Sequence, residues 1–517
     1  MEKRRRGKRD KAPIVVVVKK ERAKKVKSRA LTKHGNDGPS GGVEALLPSF
    51  IGLVILVCGV MAKMGFRGRA AVAGIDLGTT NSVVCVQNPS KGVGEIECIP
   101  DPWSGSPVVP SVISILDSPR RKTKETENFI VPPSQVVVGE EAKLRIDTHP
   151  LHTLYNAKRV IGRPYQHDAV TKLFSEVEYR MMEHSDDDTV VFSVPQDQHK
   201  GPPVVLTPQQ VGSFIVNYLI KIAGDHLGHD NIKSAVICVP AKFDTEQRRA
   251  TVAAFAHAGI TVTRMLEEPT AAALAYGLDR KENVDYIMVY DFGGGTLDVS
   301  LLHVSDGGYV EVMGSDGDDR LGGADFDAAV ATHLLKGAKQ HVQRVNNVLT
   351  TSLAEAYKAV DLESMLSKEC EQLKTIPLCT LSSLHTIGEK LKIKLSQYPD
   401  ENATVEASCW TLPKDHEPIE SVKDFCSSLQ QTKLSLTTND YDEACQELYR
   451  KSSVPIRDLL ADLNMKPDEI DEVVMVGGTT RMPQIRALVM KELGVSSLNT
   501  HIDPDLTVAY GAASVID

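Results

Sequence analysis

The stretch IMVYDFGGGTLDVSLL, residues 287–302, reads as an apolar strand, an acidic residue, a triple-glycine turn and a second strand. Glycines at 293–295 allow positive φ, so backbone N–H groups can approach an anion closely, and Thr296 adds a hydroxyl donor. Asp291 would repel a bare triphosphate, which indicates a hydrated Mg²⁺ that bridges the carboxylate to the phosphates. Taken alone, the stretch is equally consistent with a glycine-rich hairpin that binds nothing.

The same design occurs earlier, in AGIDLGTTNSVV at residues 73–84, where Asp76 ends a short strand and Gly78 opens the turn. A third stretch, VVMVGGTTR at 473–481, runs from an apolar strand into glycines without an acid, which suits an uncharged adenosine better than a phosphate. The order phosphate, phosphate, adenosine is similar to that of the actin-like ATPases. We therefore expect an α/β fold of the actin-like ATPase type, with two duplicated lobes around a nucleotide cleft.

Three segments resemble the signature segments of the Hsp70 chaperone family. They are IDLGTTNS at 75–82, VYDFGGGTLDVSLL at 289–302 and VVMVGGTTRMP at 473–483. Supporting stretches follow the family's order: NAKRVIGR at 156–163, VPAKFDTEQRRAT at 239–251, EEPTAAALAYGL at 267–278, LGGADFD at 321–327, GEKLKIKLS at 388–396 and DPDLTVAYGAA at 503–513. The likeness predicts a nucleotide-binding (ATPase) domain at residues 70–517. Since it extends to Asp517, we expect no substrate-binding domain in this chain.

The resemblance implies ATP or ADP, Mg²⁺ and K⁺ as ligands, with co-chaperones and nucleotide-exchange factors as partners. It implies that Lys158 reaches the γ-phosphate and its attacking water, where an ammonium suits the charge of phosphoryl transfer. Asp76 and Asp291 would hold the metal through water, while Glu268 orients a water in the metal shell and Thr296 steadies the γ-phosphate. The nucleotide contacts implied are Gly78, Thr79, Thr80, Asn81, Gly293, Gly294, Gly295, Thr296, Glu389, Lys392, Ser396, Gly477, Gly478, Thr479, Arg481 and Asp505.

Two residues depart from the family pattern. Ile393 stands where the family commonly has an arginine that stacks on adenine, and the loss of that planar cation is expected to weaken nucleotide binding by ~1 kcal/mol. Ala324 replaces a commonly acidic residue near the site. Because of these two departures, the sequence predicts nucleotide binding more strongly than turnover.

The N-terminal part has a different character from the rest. Residues 1–69 carry a net charge of +13, which leaves −22 for the remainder of a chain of net charge −9, so the body is a poor candidate for direct nucleic-acid binding. A basic leader at 1–44 is predicted to be disordered. It precedes ALLPSFIGLVILVCGVMA at 45–62, which as a helix would span roughly 27 Å, enough for a transmembrane signal anchor. A cleaved signal peptide is the alternative, since Ala71-Val72-Ala73 has the small-residue pattern of a cleavage site.

The flanking charges orient the predicted anchor. Most Lys and Arg residues of this region precede the apolar segment, so the positive-inside rule puts the N-terminus in the cytosol and the ATPase body in the endoplasmic reticulum lumen. Asn402-Ala403-Thr404 is a glycosylation acceptor that is usable in that compartment. The chain has 9 Cys without metal-ligand spacing, which predicts buried thiols with at most one joined pair.

We expect a membrane-anchored, lumen-facing Hsp70-like ATPase domain that hydrolyses ATP slowly to ADP and phosphate and assists protein folding and quality control. A non-hydrolysing, nucleotide-gated adaptor is the first alternative, for which Ile393 and Ala324 are the motive. A sugar or acetate kinase on the same fold is the second. The segments at 156–163 and 267–278 argue against a kinase.

Overall fold

The computed structural model describes residues 71–87, 95–116, 131–146, 148–174, 176–185, 188–195, 203–334, 336, 381–398, 404–407 and 434–516, together with residues 52, 56 and 57. The basic leader, Asn402 and nearly all of the apolar segment at 45–62 lie outside the described residues. Among those described, no helix has both the length and the apolar content that a bilayer crossing requires.

Strands make up the two main sheets and three smaller ones. Their bounds are β1 (Ala71–Leu77), β2 (Asn81–Gln87), β3 (Ile96–Cys98), β4 (Val109–Pro110), β5 (Ile113–Ile115), β6 (Val136–Val138), β7 (Thr153–Leu154), β8 (Arg180–Glu183), β9 (Val190–Val194), β10 (Val204–Leu206), β11 (Ile232–Val239), β12 (Thr261–Glu267), β13 (Tyr286–Phe292), β14 (Leu297–Ser305), β15 (Tyr309–Asp318), β16 (Thr404–Ala407), β17 (Leu434–Thr437) and β18 (Glu472–Val476).

Helices cover both main sheets. Their bounds are α1 (Glu140–Lys143), α2 (Asp168–Phe174), α3 (Pro208–Leu227), α4 (Thr245–His257), α5 (Glu268–Ala275), α6 (Leu381–Gln397), α7 (Thr438–Ser452), α8 (Val454–Asp462), α9 (Pro483–Leu493) and α10 (Thr507–Ser514). Short 3₁₀ turns lie at Pro133–Gln135, Pro150–His152, Ala157–Arg159, Leu278–Arg280, Pro467–Glu469 and Gly478–Arg481.

Local sequence explains several helix ends. Thr207 caps α3 and Asp244 caps α4, each in a capping box with a glutamine three residues later. Gly228 ends α3 in the left-handed region, at φ 71°. The strand, turn and strand predicted at 287–302 are confirmed as β13 and β14.

The two main sheets repeat one topology. In lobe I the order is β12-β11-β1-β2-β3, and in lobe II it is β15-β14-β13-β18. Each sheet contains three successive antiparallel strands, β1–β2–β3 or β13–β14–β15, and the first strand of each trio pairs in parallel with a later strand, β11 or β18. Each phosphate hairpin is therefore the first turn of an equivalent sheet, as two duplicated lobes require.

Each lobe has its own apolar core. In lobe I, Ile75, Phe192 and Phe255 are buried in one cluster, and in lobe II, Tyr290 and Phe326 are buried in another. A third cluster joins the two main sheets through α5 and α10. This arrangement leaves the turns of both hairpins at the boundary between the lobes.

The helices α5 and α10 cross very closely. A Cβ added at Gly511 would lie 1.9 Å from the carbonyl oxygen of Ala271, and one at Gly74 would lie 2.4 Å from the amide nitrogen of Ala513. Only glycine permits these approaches. The small residues of the EEPTAAALAYGL and DPDLTVAYGAA segments thus have a packing role, which fixes β1 and its Asp76 against α10.

A disulfide joins Cys85 on β2 to Cys98 on the edge strand β3. Among the described cysteines, Cys238 and Cys445 are free and buried. The sequence predicted buried thiols with at most one joined pair, and the structure identifies a pair that encloses a short loop within lobe I.

Candidate nucleotide site

The first hairpin places Asp76 near the end of β1, immediately before a tight turn. A Cβ at Gly78 would lie 2.0 Å from the carbonyl oxygen of Asn81, so this turn requires glycine. Buried Ser111 fixes the turn from outside: its hydroxyl donates to the Gly78 carbonyl at 2.9 Å, and its amide donates to the Thr80 carbonyl at 2.8 Å. Thr80 and Asn81 remain exposed at the edge of the cleft.

The second hairpin meets the first across the cleft. A Cβ at Gly294 would lie 2.9 Å from both Cγ2 and Oγ1 of Thr80. Arg159 of lobe I also reaches the hairpin and donates to the carbonyl of Gly295 at 2.9 Å and to that of Asp319 at 2.7 Å. The two predicted phosphate hairpins therefore converge, as the proposed nucleotide site requires.

Further backbone bonds hold the second hairpin within lobe II. The amides of Gly323 and Ala324 donate to the carbonyls of Gly293 and Gly294 at 3.0 and 2.9 Å. Thr479 of the third glycine segment donates its hydroxyl to the Gly293 carbonyl at 2.8 Å. The predicted adenosine segment is thus bonded directly to the predicted phosphate segment.

Lys158 and Glu268 form a largely buried ion pair between these hairpins. Lys158 lies in a 3₁₀ turn that follows Asn156, whose φ of 59° is a conformation that asparagine tolerates. Glu268 begins α5, and its Oε1 accepts a hydrogen bond from Lys158 Nζ at 2.8 Å. Burial alone would lower the pKa of Lys158, but Glu268 and Asp76 together raise it above the usual lysine value, which keeps the ammonium charged.

Carboxylates crowd the base of the cleft. Burial, opposed by Lys158 and reinforced by Glu268 and Asp505, raises the pKa of Asp76 to about 7. The pKa of Asp291 is also raised well above its usual range by burial, then by Glu268, Asp298 and Asp76. The charge of Asp76 is thus one of the causes that raise the pKa of Asp291, which is consistent with convergence of the two hairpins.

The donor set fits a hydrated divalent cation. Asp76 Oδ1 is buried without a hydrogen-bond partner, and a nearby cation would offset both the desolvation and the mutual repulsion of these carboxylates. Among the described residues, no three Asp, Glu, His or Cys side chains form a direct metal-binding group. Since Mg²⁺ commonly keeps several waters, Asp76 and Asp291 would hold it through water.

Helix α6 carries three predicted nucleotide contacts, two of which have protein partners. Lys143 of α1 donates to Glu389 at 3.1 Å, which joins the two lobes across the cleft. Lys392 donates to the Gly323 carbonyl and to Asp327, each at 2.9 Å. Ser396 is half-buried one turn further along α6, and Ile393 is exposed.

The third glycine segment brings Gly478 close to a carboxylate. A Cβ at Gly478 would lie 2.9 Å from Oδ1 of Asp505. Arg481, which the sequence predicts at the base and ribose, binds Asp503 and donates to Asp505 at 2.8 Å. Gly477 has a φ of 81°, which favours glycine.

Several residues of this site were missed by sequence reasoning. Asp298 follows the triple glycine by three residues on β14, and its pKa is raised to about 7 mainly by burial. The available signal was the hairpin register, which places Asp298 directly opposite Asp291 of β13. Nothing local indicated Ser111, Lys143 or Lys242, because their partners are distant in sequence.

The fold and the site define a two-lobed nucleotide-binding domain with paired phosphate hairpins. The family model described as "Hsp70 protein" matches residues 72–397 and 377–516. The chain belongs to the Hsp70 family, whose members share the actin-like ATPase α/β fold, act as chaperones and bind ATP or ADP with Mg²⁺.

Two curated relatives place the chain within that family. It is 31% identical over 444 residues to an iron-sulfur cluster biogenesis chaperone, mitochondrial, of Saccharomyces cerevisiae. It is 36% identical over 442 residues to a chaperone protein DnaK of Prochlorococcus marinus. Each match covers 86% of this chain and 58% of the relative, so the chain spans somewhat over half the length of these relatives.

Proposed function

We propose that this chain binds ATP with Mg²⁺ between its two lobes and hydrolyses it slowly, with water as the acceptor, as the ATPase domain of an Hsp70-type chaperone. The observation that carries the proposal is the buried Lys158–Glu268 pair, which lies between the two convergent hairpins beside Asp76 and Asp291. The cluster combines a positive donor for a γ-phosphate with carboxylates suited to a hydrated cation.

Each group then has a definable task. The Lys158 ammonium would donate to a γ-phosphate oxygen and stabilise the charge that develops there. Glu268 orients that ammonium and would accept a hydrogen bond from the attacking water. The Thr296 hydroxyl and the amides of glycines 293–295 would hold the transferred group, while bound Mg²⁺ would neutralise charge on the β- and γ-oxygens.

The test is an ATP hydrolysis assay on the purified full-length chain with γ-labelled ATP. We expect free labelled phosphate in the presence of Mg²⁺ and its loss in Lys158→Ala. Label that appears on an added metabolite instead would support the kinase alternative. Tight MgADP binding without any phosphate release would support the nucleotide-gated adaptor, for which the exposed Ile393 and Ala324 are the structural motive.

We further propose that the domain faces the endoplasmic reticulum lumen behind an anchor at residues 45–62, like the small microsomal type of Hsp70. The charge asymmetry around the apolar segment supports this topology. The Cys85–Cys98 disulfide supports it as well, because disulfides persist mainly in oxidising compartments.

Glycosidase treatment of the expressed protein tests this topology. We expect a mobility shift that is lost in Asn402→Gln, together with retention in the membrane fraction after carbonate washing. Release by carbonate would instead indicate cleavage of the apolar segment. Co-chaperones, nucleotide-exchange factors and folding clients are the partners that this proposal predicts.

A further inference from the structure

An ion pair between Lys242 and Asp298 joins the two lobes beside the cluster described above. Lys242 lies in lobe I, three residues after the end of β11, and Asp298 lies on β14 of lobe II. The distance between Lys242 Nζ and Asp298 Oδ1 is 3.8 Å, and the side chains are 37% and 26% exposed. The contact therefore forms only when the two lobes are close.

Both side chains line one small cavity at the lobe boundary. Glu268 and Asp291 contribute to the same lining, and the cavity volume is about 10 Å³, which is room for about one water molecule. On the far wall, the hydroxyls of Ser300 and Ser315 are hydrogen-bonded to each other at 2.7 Å. The charged groups facing this space are therefore the three carboxylates and the one lysine.

Asp298 is the acidic partner of Lys242 in the ion pair that joins the lobes. Lys158 is already held by Glu268 at 2.8 Å. Among the ion pairs of the described residues, the one that includes Asp298 is formed with Lys242. A nearby cation stabilises a carboxylate that is partly removed from water, because its negative charge is otherwise incompletely solvated.

We propose that Lys242 is the built-in monovalent counter-ion of this nucleotide site, a positioning residue whose ammonium neutralises Asp298 and joins the lobes without a dissolved cation. The inference rests on the proposed function. An ammonium and a K⁺ ion carry the same charge and are similar in size, so the Lys242 ammonium can act beside Asp298 as a K⁺ ion would. Nucleotide retention by this chain is therefore independent of K⁺.

The experiment measures dissociation of a fluorescent ADP analogue from the full-length chain at fixed Mg²⁺, in KCl and in choline chloride of equal ionic strength. For the unmodified chain we expect equal rates in the two salts. For Lys242→Gln we expect dissociation about tenfold faster in choline chloride, with most of the loss restored by KCl, because K⁺ can then reach Asp298. Thermal unfolding without nucleotide, in both salts, checks that the variant folds.

A double variant in which neither residue of the pair is charged serves as a further test. Lys242→Gln combined with Asp298→Asn removes the need for any cation, so its dissociation rate is expected to be the same in both salts. Lys281→Met is the matched control, since Lys281 pairs with Glu472 inside lobe II and its loss is expected to change neither rate.

Two results would overturn the inference while the proposed function stands. One is a strong K⁺ requirement in the unmodified chain, and the other is a Lys242→Gln variant whose rates match those of the unmodified chain in both salts. Failure of the unmodified chain to bind the analogue would instead overturn the proposed function, and this inference with it. If Lys242→Gln does not fold, the dissociation rates of the unmodified chain in the two salts still test whether nucleotide retention is independent of K⁺.

Discussion

Thr80 and Gly294 face each other across the cleft so closely that a methyl group on Gly294 would lie 2.9 Å from the Thr80 side chain. These residues belong to different sheets and different lobes. Their contact is the clearest sign that the two hairpins form one site.

We therefore expect Gly294→Ala to prevent the normal approach of the hairpins and to abolish tight MgADP binding. The matched control is Gly293→Ala, whose Cβ would have its nearest neighbour, the Thr296 carbonyl oxygen, at 3.9 Å. Isothermal titration calorimetry on both variants makes the comparison. Equal affinities would show that the hairpins are apart when nucleotide binds.

Lys158→Ala is expected to lower the ATP hydrolysis rate by about 10²–10³, the usual cost of one lost donor to the developing charge. The change also leaves Glu268 without its ion-pair partner in a largely buried position, so a lower Tm is expected. Single-turnover kinetics measure the first effect. Lys233→Ala, at an exposed position of β11, is the control, and a Lys158→Ala rate equal to that of the unmodified chain would contradict the assigned role.

Binding of the Mg²⁺ nucleotide is expected to release protons near neutral pH, because Asp76 has a pKa of about 7 in the ligand-free fold. The bound cation favours the ionised form of Asp76. Nucleotide binding therefore releases a proton from this carboxyl group below about pH 7, but not above about pH 9, where the group is already ionised. Calorimetry in two buffers of different ionisation enthalpy counts these protons. Asp76→Asn should remove most of the release, and the remainder reports Asp298, whose pKa is also about 7.

The same raised pKa contributes to the pH dependence of the stability of the ligand-free domain. Between the unfolded and folded pKa values the folded state binds more protons, so its stability is highest at the acidic end of that range and falls as pH rises toward about 7. Denaturant unfolding at several pH values measures this slope. The groups that act on Asp76 are Lys158, Glu268 and Asp505.

Lys143→Ala is expected to speed nucleotide dissociation, because the Lys143–Glu389 pair closes the cleft from the side of α6. Both side chains are substantially exposed, so the effect is limited to about fivefold and weakens with added salt. Stopped-flow release of a fluorescent nucleotide measures it. Lys221→Ala, which breaks an exposed pair inside lobe I, should have no effect.

Removing the disulfide through Cys98→Ser is expected to destabilise lobe I by about 2–4 kcal/mol. Dithiothreitol should lower the Tm of the unmodified chain as the Cys98→Ser change does, but it should not affect the Tm of a Cys85→Ala/Cys98→Ala variant. Differential scanning calorimetry gives both values. Complete alkylation of Cys98 in the unreduced, folded chain would show that this pair is not joined.

The sequence by itself determined the local elements of the site. Two segments, 73–84 and 287–302, each contain a strand, an acidic residue and a glycine turn. These features depend on neighbouring residues alone, because apolar runs favour strands and glycine relieves the steric limits of a tight turn. Family resemblance then extended these local patterns to a candidate list of ligands.

Only the tertiary structure decided which side chains meet. Sheet register and the approach of the two lobes bring together residues that are distant in sequence, and no local pattern encodes these pairs. They are Lys158 with Glu268, Lys242 with Asp298, and Cys85 with Cys98. The raised pKa values of Asp76 and Asp298 arise in the same way, since desolvation exists only after the chain has packed around them.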